Sequence, residues 1–223
     1  DGSATPYFEW ANIRFAVTPN LSVRGGRIVA PVFMVSDARS IGYSQTAVRL
    51  APDVYQLAPI TYVEGGDIAW RMAFDDSLLR LNALHGGVDE SLTVSGELRD
   101  YHFDLSIFSA EFERGNSLFH AGFSKVAATL KSAAIARFDA GISTAVALNI
   151  PGADTLRANI DFTDNNVDFF DLGYQYDDGR WLLQGEVISR RAESETIQNQ
   201  QAAYVLAGWH RDNILPYVQI SRM

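Results

Sequence analysis

Apolar and polar residues alternate with period two along most of the chain. The stretch "FFDLGYQYDDGRWLLQGEVI", Phe169 to Ile188, shows the pattern best. One parity gives Phe170, Leu172, Tyr174, Tyr176 and, past the turn at 177–180, Trp181, Leu183, Gly185 and Val187. The other gives Asp171, Gly173, Gln175, Gln184 and Glu186. Such alternation over eight or more residues predicts β-strands with two unlike faces. About ten runs follow it: 7–17, 21–30, 66–74, 78–86, 100–113, 117–126, 166–176, 181–190, 201–210 and 214–222. "TPN" (18–20), "DDS" (75–77), "RGN" (114–116), "DDGR" (177–180) and "RDN" (211–213) read as tight turns. Asp177 and Asp178 are turn formers in this setting, not an acid pair. Longer connections span 31–65, 87–99, 127–165 and 191–200. Alternation of short and long connections predicts an up-and-down antiparallel meander, with all short turns at one end.

The two faces differ in kind. Ile13, Phe15, Val23, Ile68, Trp70, Met72, Phe74, Leu79, Leu81, Phe119, Phe123, Val205 and Trp209 share the apolar parity. Arg14, Ser22, Arg24, Asp67, Arg71, Arg80, Asn82, His120, Ser124 and Gln219 share the polar one. A soluble sheet would bury the apolar face. Three features favour the inverted arrangement. The runs are longer than the usual five or six residues. Trp70, Phe74, Tyr174, Tyr176, Trp181 and Trp209 fall near strand ends, where an interfacial aromatic girdle belongs. No second sheet is left to cover the apolar face. The fold class predicted is therefore all-β, one domain over 1–223, an antiparallel up-and-down transmembrane β-barrel, with Tyr174 and Leu183 toward lipid and Gln175 and Glu186 toward a wet lumen. Edges left open in hydrocarbon would strand unpaired backbone groups, so the sheet is expected to close.

Composition narrows the classes. The 223 residues include no cysteine, so neither a disulfide nor a thiolate site can form. Formal charge is −9 and the isoelectric point about 4.8, which argues against a nucleic-acid partner. Mean hydropathy of −0.05 suits a soluble globular protein and equally a membrane barrel, whose alternation dilutes its apolar residues. No apolar run of about 18 residues predicts a transmembrane helix. The opening "DGSATPYFEW" has neither a basic region nor an apolar core, so it does not read as a signal peptide; the chain is expected to be mature or cut here. The four histidines stand apart, and His120 and Ser124 would be about 13 Å apart on one strand. No catalytic, metal or cofactor site is predicted, and an enzyme is not expected. Lys125 to Gly152 is rich in helix formers and reads as a short helix or an alanine-rich surface loop.

The stretch "FEWANIRFAVTPNLSVRGGRIVAPVFMVSDARSIGYSQTAVRLAPDVYQLAPITYVEGGDIAW", with "LGYQYDDGRWLLQGEVISRRAES" and "AAYVLAGWHRDNILPYVQ", resembles Gram-negative outer-membrane porins of the general diffusion type. The likeness covers most of the chain and is weakest over 126–165. It implies an integral outer-membrane protein in contact with lipid and lipopolysaccharide. It also implies a homotrimer passing small hydrophilic solutes and ions by diffusion, and a barrel of about sixteen strands. The ten strands visible here, ending in "YVQISRM" without a terminal aromatic, would then be a partial barrel. The 31–65 connection corresponds to a loop that folds into the lumen and narrows it, with Asp37, Arg39, Arg49 and Asp53 as constriction residues. The 127–165 connection corresponds to an extracellular loop.

Arg14, Arg24, Arg71 and Arg80 lie on the polar parity of four consecutive strands. With Gln175 and Glu186 they are the expected pore-lining wall, facing acids of the inward loop across the lumen. The alternative role for these arginines is simple pairing with lumen carboxylates. Arg27 breaks their parity, which suggests a bulge there or a place above the membrane. Two other functions fit the pattern: a soluble β-rich carbohydrate-binding module, and a substrate-specific outer-membrane channel.

Overall fold

The computed structural model describes residues 8, 10–36, 46–58, 60–94, 97–160, 162–163, 165–194 and 197–223. Ten strands form one antiparallel sheet in sequence order: β1 Ala11–Ala16, β2 Leu21–Val29, β3 Tyr62–Phe74, β4 Ser77–Val94, β5 Glu97–Arg114, β6 Ser117–Ser132, β7 Asn165–Asp177, β8 Trp181–Ala192, β9 Gln200–Trp209 and β10 Tyr217–Arg222. The all-β meander expected from alternation is present. Among the described residues β1 and β10 do not pair, so the sheet is open. Among the described residues no helix is long and apolar enough to cross a membrane.

Several boundaries differ from the sequence pattern. The first strand begins at Ala11, while Tyr7 and Glu9, where it was expected to start, lie outside the described residues. The 87–99 connection is not a loop. β4 and β5 run on as 18-residue partners from Ser77↔Arg114 to Val94↔Glu97. The stretch looks loop-like because its outer side turns polar: His85, Asp89 and Ser91 face Ser106, His102 and Asp100. His102 meets Asp89 at 2.7 Å and Ser91 donates to Asp100 at 2.7 Å. Cross-strand polar pairs hold this end of the hairpin where apolar alternation has stopped. Short turns are therefore not confined to one end of the sheet. The last connection closes on the expected tight turn: Arg211 and Ile214 exchange backbone hydrogen bonds at 2.8 and 2.9 Å across Asp212 and Asn213, just beyond the ends of β9 and β10.

The outer face is apolar and uncovered. Leu172 is 65% exposed, Val187 57% and Val205 61%, and Phe170, Leu183 and Trp181 are exposed too. The band spans Ile68 to Phe74 on β3 and Phe170 to Tyr176 on β7, about 20 Å of strand in each case. One row beyond, a polar belt crosses five strands through His85, Ser106, Lys125, Asp168 and Arg191.

Part of the inner face is covered by described residues of the chain's own 30–61 connection. Val32, Phe33, Val54, Tyr55 and Leu57 from this segment share one core with Ile28, Val63, Leu84, Leu105, Ile107, Val126, Phe169, Ile188 and Leu206 from β2 to β9. One segment can touch eight strands only because the sheet curls around it. Glycines make the tight part of the curl. Gly26, Gly65 and Gly86 are register neighbours on β2, β3 and β4. A Cβ on Gly65 would stand 2.7 Å from the Gly86 Cα, so only glycine permits this approach.

After β6 the chain forms α2 Ala133–Ala147 and α3 Ala153–Asn159, following a one-turn α1, Pro52–Tyr55, in the inner segment. The helical reading of the alanine-rich stretch holds from Ala133, but Lys125 to Ser132 continue the strand. Ser132 caps α2 by accepting from the Ile135 N–H at 3.2 Å.

Candidate pore lining and loop anchor

The inner segment is fastened to the far side of the sheet from the strands it connects. It leaves β2 and enters β3, yet its polar anchors lie on β8 and β10. The Glu186 carboxylate accepts from the Met34 N–H at 2.9 Å and from the Tyr55 hydroxyl at 2.5 Å. Burial, and then the Glu186 charge, raise the Tyr55 phenol well above its ordinary value, so it remains a donor. Arg190 donates to the Leu57 carbonyl at 3.0 Å, Ser221 to Asp53 at 2.5 Å, and the Tyr217 hydroxyl accepts from the Val48 N–H at 2.9 Å. Gly173 makes room for the segment: a Cβ there would lie 2.8 Å from Met34 Sδ.

Glu186 is only 2% exposed, so it does not line a wet wall as the alternation suggested. Alternation gives its face, but cannot show that the inner segment lies over it. Gln175, on the same face of β7, is half-buried. Beside Glu186 sit two further buried polar groups that the sequence reading did not bring together. His120 Nε2 lies 3.4 Å from Asp171 Oδ1, and His120 Nδ1 lies 3.9 Å from Glu111. The register joins them, since His120 pairs with Gly173 and Gly173 with Glu186. A signal was present in the sequence: Asp171, Gly173 and Glu186 place acids and a glycine where a wall must be both polar and thin. Among the described residues no grouping of three or more His, Asp or Glu could hold a metal ion.

A second polar zone lies on β1 to β4. Arg14, Arg24, Arg71 and Arg80 line one inner cavity of about 350 Å³, together with Ser22, Asp67, Asn82 and Glu111. Arg24 meets Asp67 at 2.5 Å, and Asn82 donates to the same oxygen at 3.2 Å. Arg80 meets Glu111 at 3.2 Å and also pairs with Glu113. Among the described residues Arg14 donates to Ser22, at 3.1 Å. Neither Arg14 nor Arg71 forms an ion pair among the described residues. The zone thus holds two compensated and two uncompensated guanidiniums, and the acids come from neighbouring strands.

The expected facing acids are placed differently. Asp53 turns to Ser221 on β10, away from the arginines. Arg49 is exposed. Asp37 and Arg39 lie outside the described residues. Arg27 sits at no bulge, because the β1–β2–β3 register is unbroken; it occupies the outer face and pairs with Glu64 over the Tyr62 ring.

The aromatic residues gather toward the tight-turn end. Trp181 and Trp209 are register partners with centroids 6.2 Å apart. Phe119 and Tyr174 stand 4.9 Å apart. Phe74 ends β3 and Tyr176 lies one residue from the end of β7. Trp70 is mid-strand on β3, but it pairs with Leu21, the first residue of β2, and so also lies beside a turn.

No protein-family model and no curated protein matches the chain. A solved structure, the outer-membrane expressed OmpT of Vibrio cholerae, is similar at 10% identity and a TM-score of 0.41 over 92% of this chain. The match covers 66% of that chain, just under two thirds. At that level the likeness carries no weight for fold or function.

Proposed function

We propose that this chain is wall and inner loop of an outer-membrane β-barrel that passes small hydrophilic solutes and ions by diffusion. One observation carries the reading: the sheet leaves a continuous apolar face exposed and turns the face that bears its arginines and buried acids inward, over the chain's own segment. A soluble sheet has the opposite arrangement. An uncovered apolar band flanked by aromatics and a polar belt fits a lipid surface. With the inner segment seated on β7 to β10, the open aqueous path follows the arginine zone of β1 to β4. Wall charges there bias which ions enter. Additional strands, from this chain's own longer form or from another copy, close the barrel against the free edges of β1 and β10. Placement in a Gram-negative outer membrane, contact with lipopolysaccharide and a homotrimer are part of the proposal. No catalytic step is assigned.

Planar-bilayer conductance of the detergent-purified protein, with reversal potentials in a salt gradient, tests it. Stepwise ohmic openings support the channel. A protein that stays dissolved and monodisperse without detergent and gives no openings favours the carbohydrate-binding module.

A further inference from the structure

A second inner cavity, of about 300 Å³, lies toward the end of the sheet away from the Trp181–Trp209 and Phe119–Tyr174 pairs. It sits between the distal limb of the inner segment and strands β5 to β8. Leu57, Phe103, Val126 and Phe169 line it, and among the described residues Arg190 is the one charged group in that lining. The cavity is at the lower bound of ligand-site volumes, and it combines an apolar body with a single cation.

The state of Arg190 points to what would fill it. Its guanidinium donates to three neutral acceptors: the Leu57 carbonyl at 3.0 Å, the Gln198 carbonyl at 3.1 Å and the Gln200 side-chain oxygen. A guanidinium has five N–H donors, so two remain. No carboxylate pairs with it among the described residues, and no charged side chain acts on it. The other half-buried inner-face arginines differ: Arg24 has Asp67, and Arg80 has Glu111 and Glu113. A half-buried cation on an apolar wall without a counter-charge is poorly compensated, and an incoming carboxylate supplies both the charge and the paired acceptors its fork fits.

We infer that this cavity binds an amphiphilic monocarboxylate, with its aromatic or medium-chain aliphatic body against Phe103 and Phe169 and its carboxylate on Arg190. The site would stand at the rim where the long connections lie, so a solute approaching from that side meets it before the arginine zone. It does not depend on the chain conducting, and its test is a binding measurement, separate from conductance.

Binding of 4-phenylbutyrate and of its neutral analogue 4-phenyl-1-butanol is measured by equilibrium dialysis against the whole chain in nanodiscs, with empty nanodiscs subtracted. The carboxylate is expected to bind about tenfold more tightly than the alcohol. Arg190→Gln keeps an amide donor for the Leu57 carbonyl, and should bring the two ligands within about twofold of each other. Ala128→Phe, which fills the cavity from β6 without touching Arg190, should remove binding of both. If Arg190→Gln fails to fold, the wild-type comparison and Ala128→Phe still decide. Equal affinity of the two ligands for the wild type, no binding above empty nanodiscs, or undiminished binding to Ala128→Phe would each overturn the site.

Discussion

Tyr55 donates its phenol proton to Glu186 across 2.5 Å and so ties the inner segment to a strand 131 positions further along the chain. The same carboxylate takes the Met34 N–H, so one side chain holds two separated points of that segment. Glu186→Ala would leave both donors buried without an acceptor, at about 1–3 kcal/mol each. The expected outcome is protease cleavage within 30–61 that the wild type resists, and a lower urea midpoint. Tyr55→Phe should do less, since Met34 keeps its acceptor. Unchanged protection in Glu186→Ala would show that the apolar core alone seats the segment.

The two faces of β7 and β8 give opposite predictions for one kind of substitution. Tyr174→Arg or Leu183→Arg puts a charge on the uncovered apolar face and should cost about 2–4 kcal/mol if that face meets the bilayer midplane. Gln175→Arg, on the inner face, should fold normally and alter conductance. Urea unfolding from lipid vesicles measures all three. Equal tolerance would rule out the lipid-facing reading of the outer face.

Ion preference should follow the uncompensated arginines. Arg71→Glu or Arg14→Glu disturbs no ion pair among the described residues and should leave stability within about 0.5 kcal/mol. Each should shift the reversal potential toward cation preference. Arg24→Glu is different, because it leaves the buried Asp67 facing a like charge, and it should lower refolding yield. A reversal potential indifferent to both Arg14 and Arg71 would remove the arginine zone from the conduction path.

The glycine contact between β3 and β4 is expected to be intolerant. Gly65→Val forces a side chain into the Gly86 backbone and should cost about 1–3 kcal/mol or prevent folding. Gly25→Ala is the matched control, since its added Cβ would come no nearer than 4.0 Å to any atom of another strand. Urea midpoints of the two variants should differ clearly.

The β7–β8 turn should show its own acid sensitivity. Asp178 accepts from the Trp181 N–H at 2.6 Å and the Arg180 N–H at 2.8 Å, and these bonds, Trp181 first, hold its carboxyl below the usual range. The unfolded carboxyl titrates near 3.9 and takes up its proton first as pH falls. Stability from this group is therefore complete above that value and lost as pH drops through the lower folded value. Asp178→Asn should flatten the fall of the unfolding midpoint below about pH 4 relative to the wild type.

Alternation was enough to read ten strands, their order and the inverted faces, because a half-covered sheet writes its two environments into every second residue. It was not enough at the top of β4 and β5. There His85 meets Ser106, Asp89 meets His102 and Ser91 meets Asp100 on an outer face that has turned polar, so the contrast between the two faces no longer marks the strands. The arginine zone was legible because parity alone puts Arg14, Arg24, Arg71 and Arg80 on one side. Their carboxylate partners were not, since finding Asp67 and Glu111 requires the register. Glu186 shows the remaining gap: its face follows from its position, while its burial depends on a segment more than 130 residues earlier.

The path of the inner segment, out from β2 and β3 and fastened at β8 and β10, is that of a tie rod across an arch. In masonry the tie resists the outward thrust of the span, and here it would hold the two flanks of the curled sheet at a set separation. The anchors at Glu186, Arg190 and Ser221 then govern the width of the vault as well as the opening beneath it. Cutting the tie would let the arch flatten, with its bricks otherwise intact.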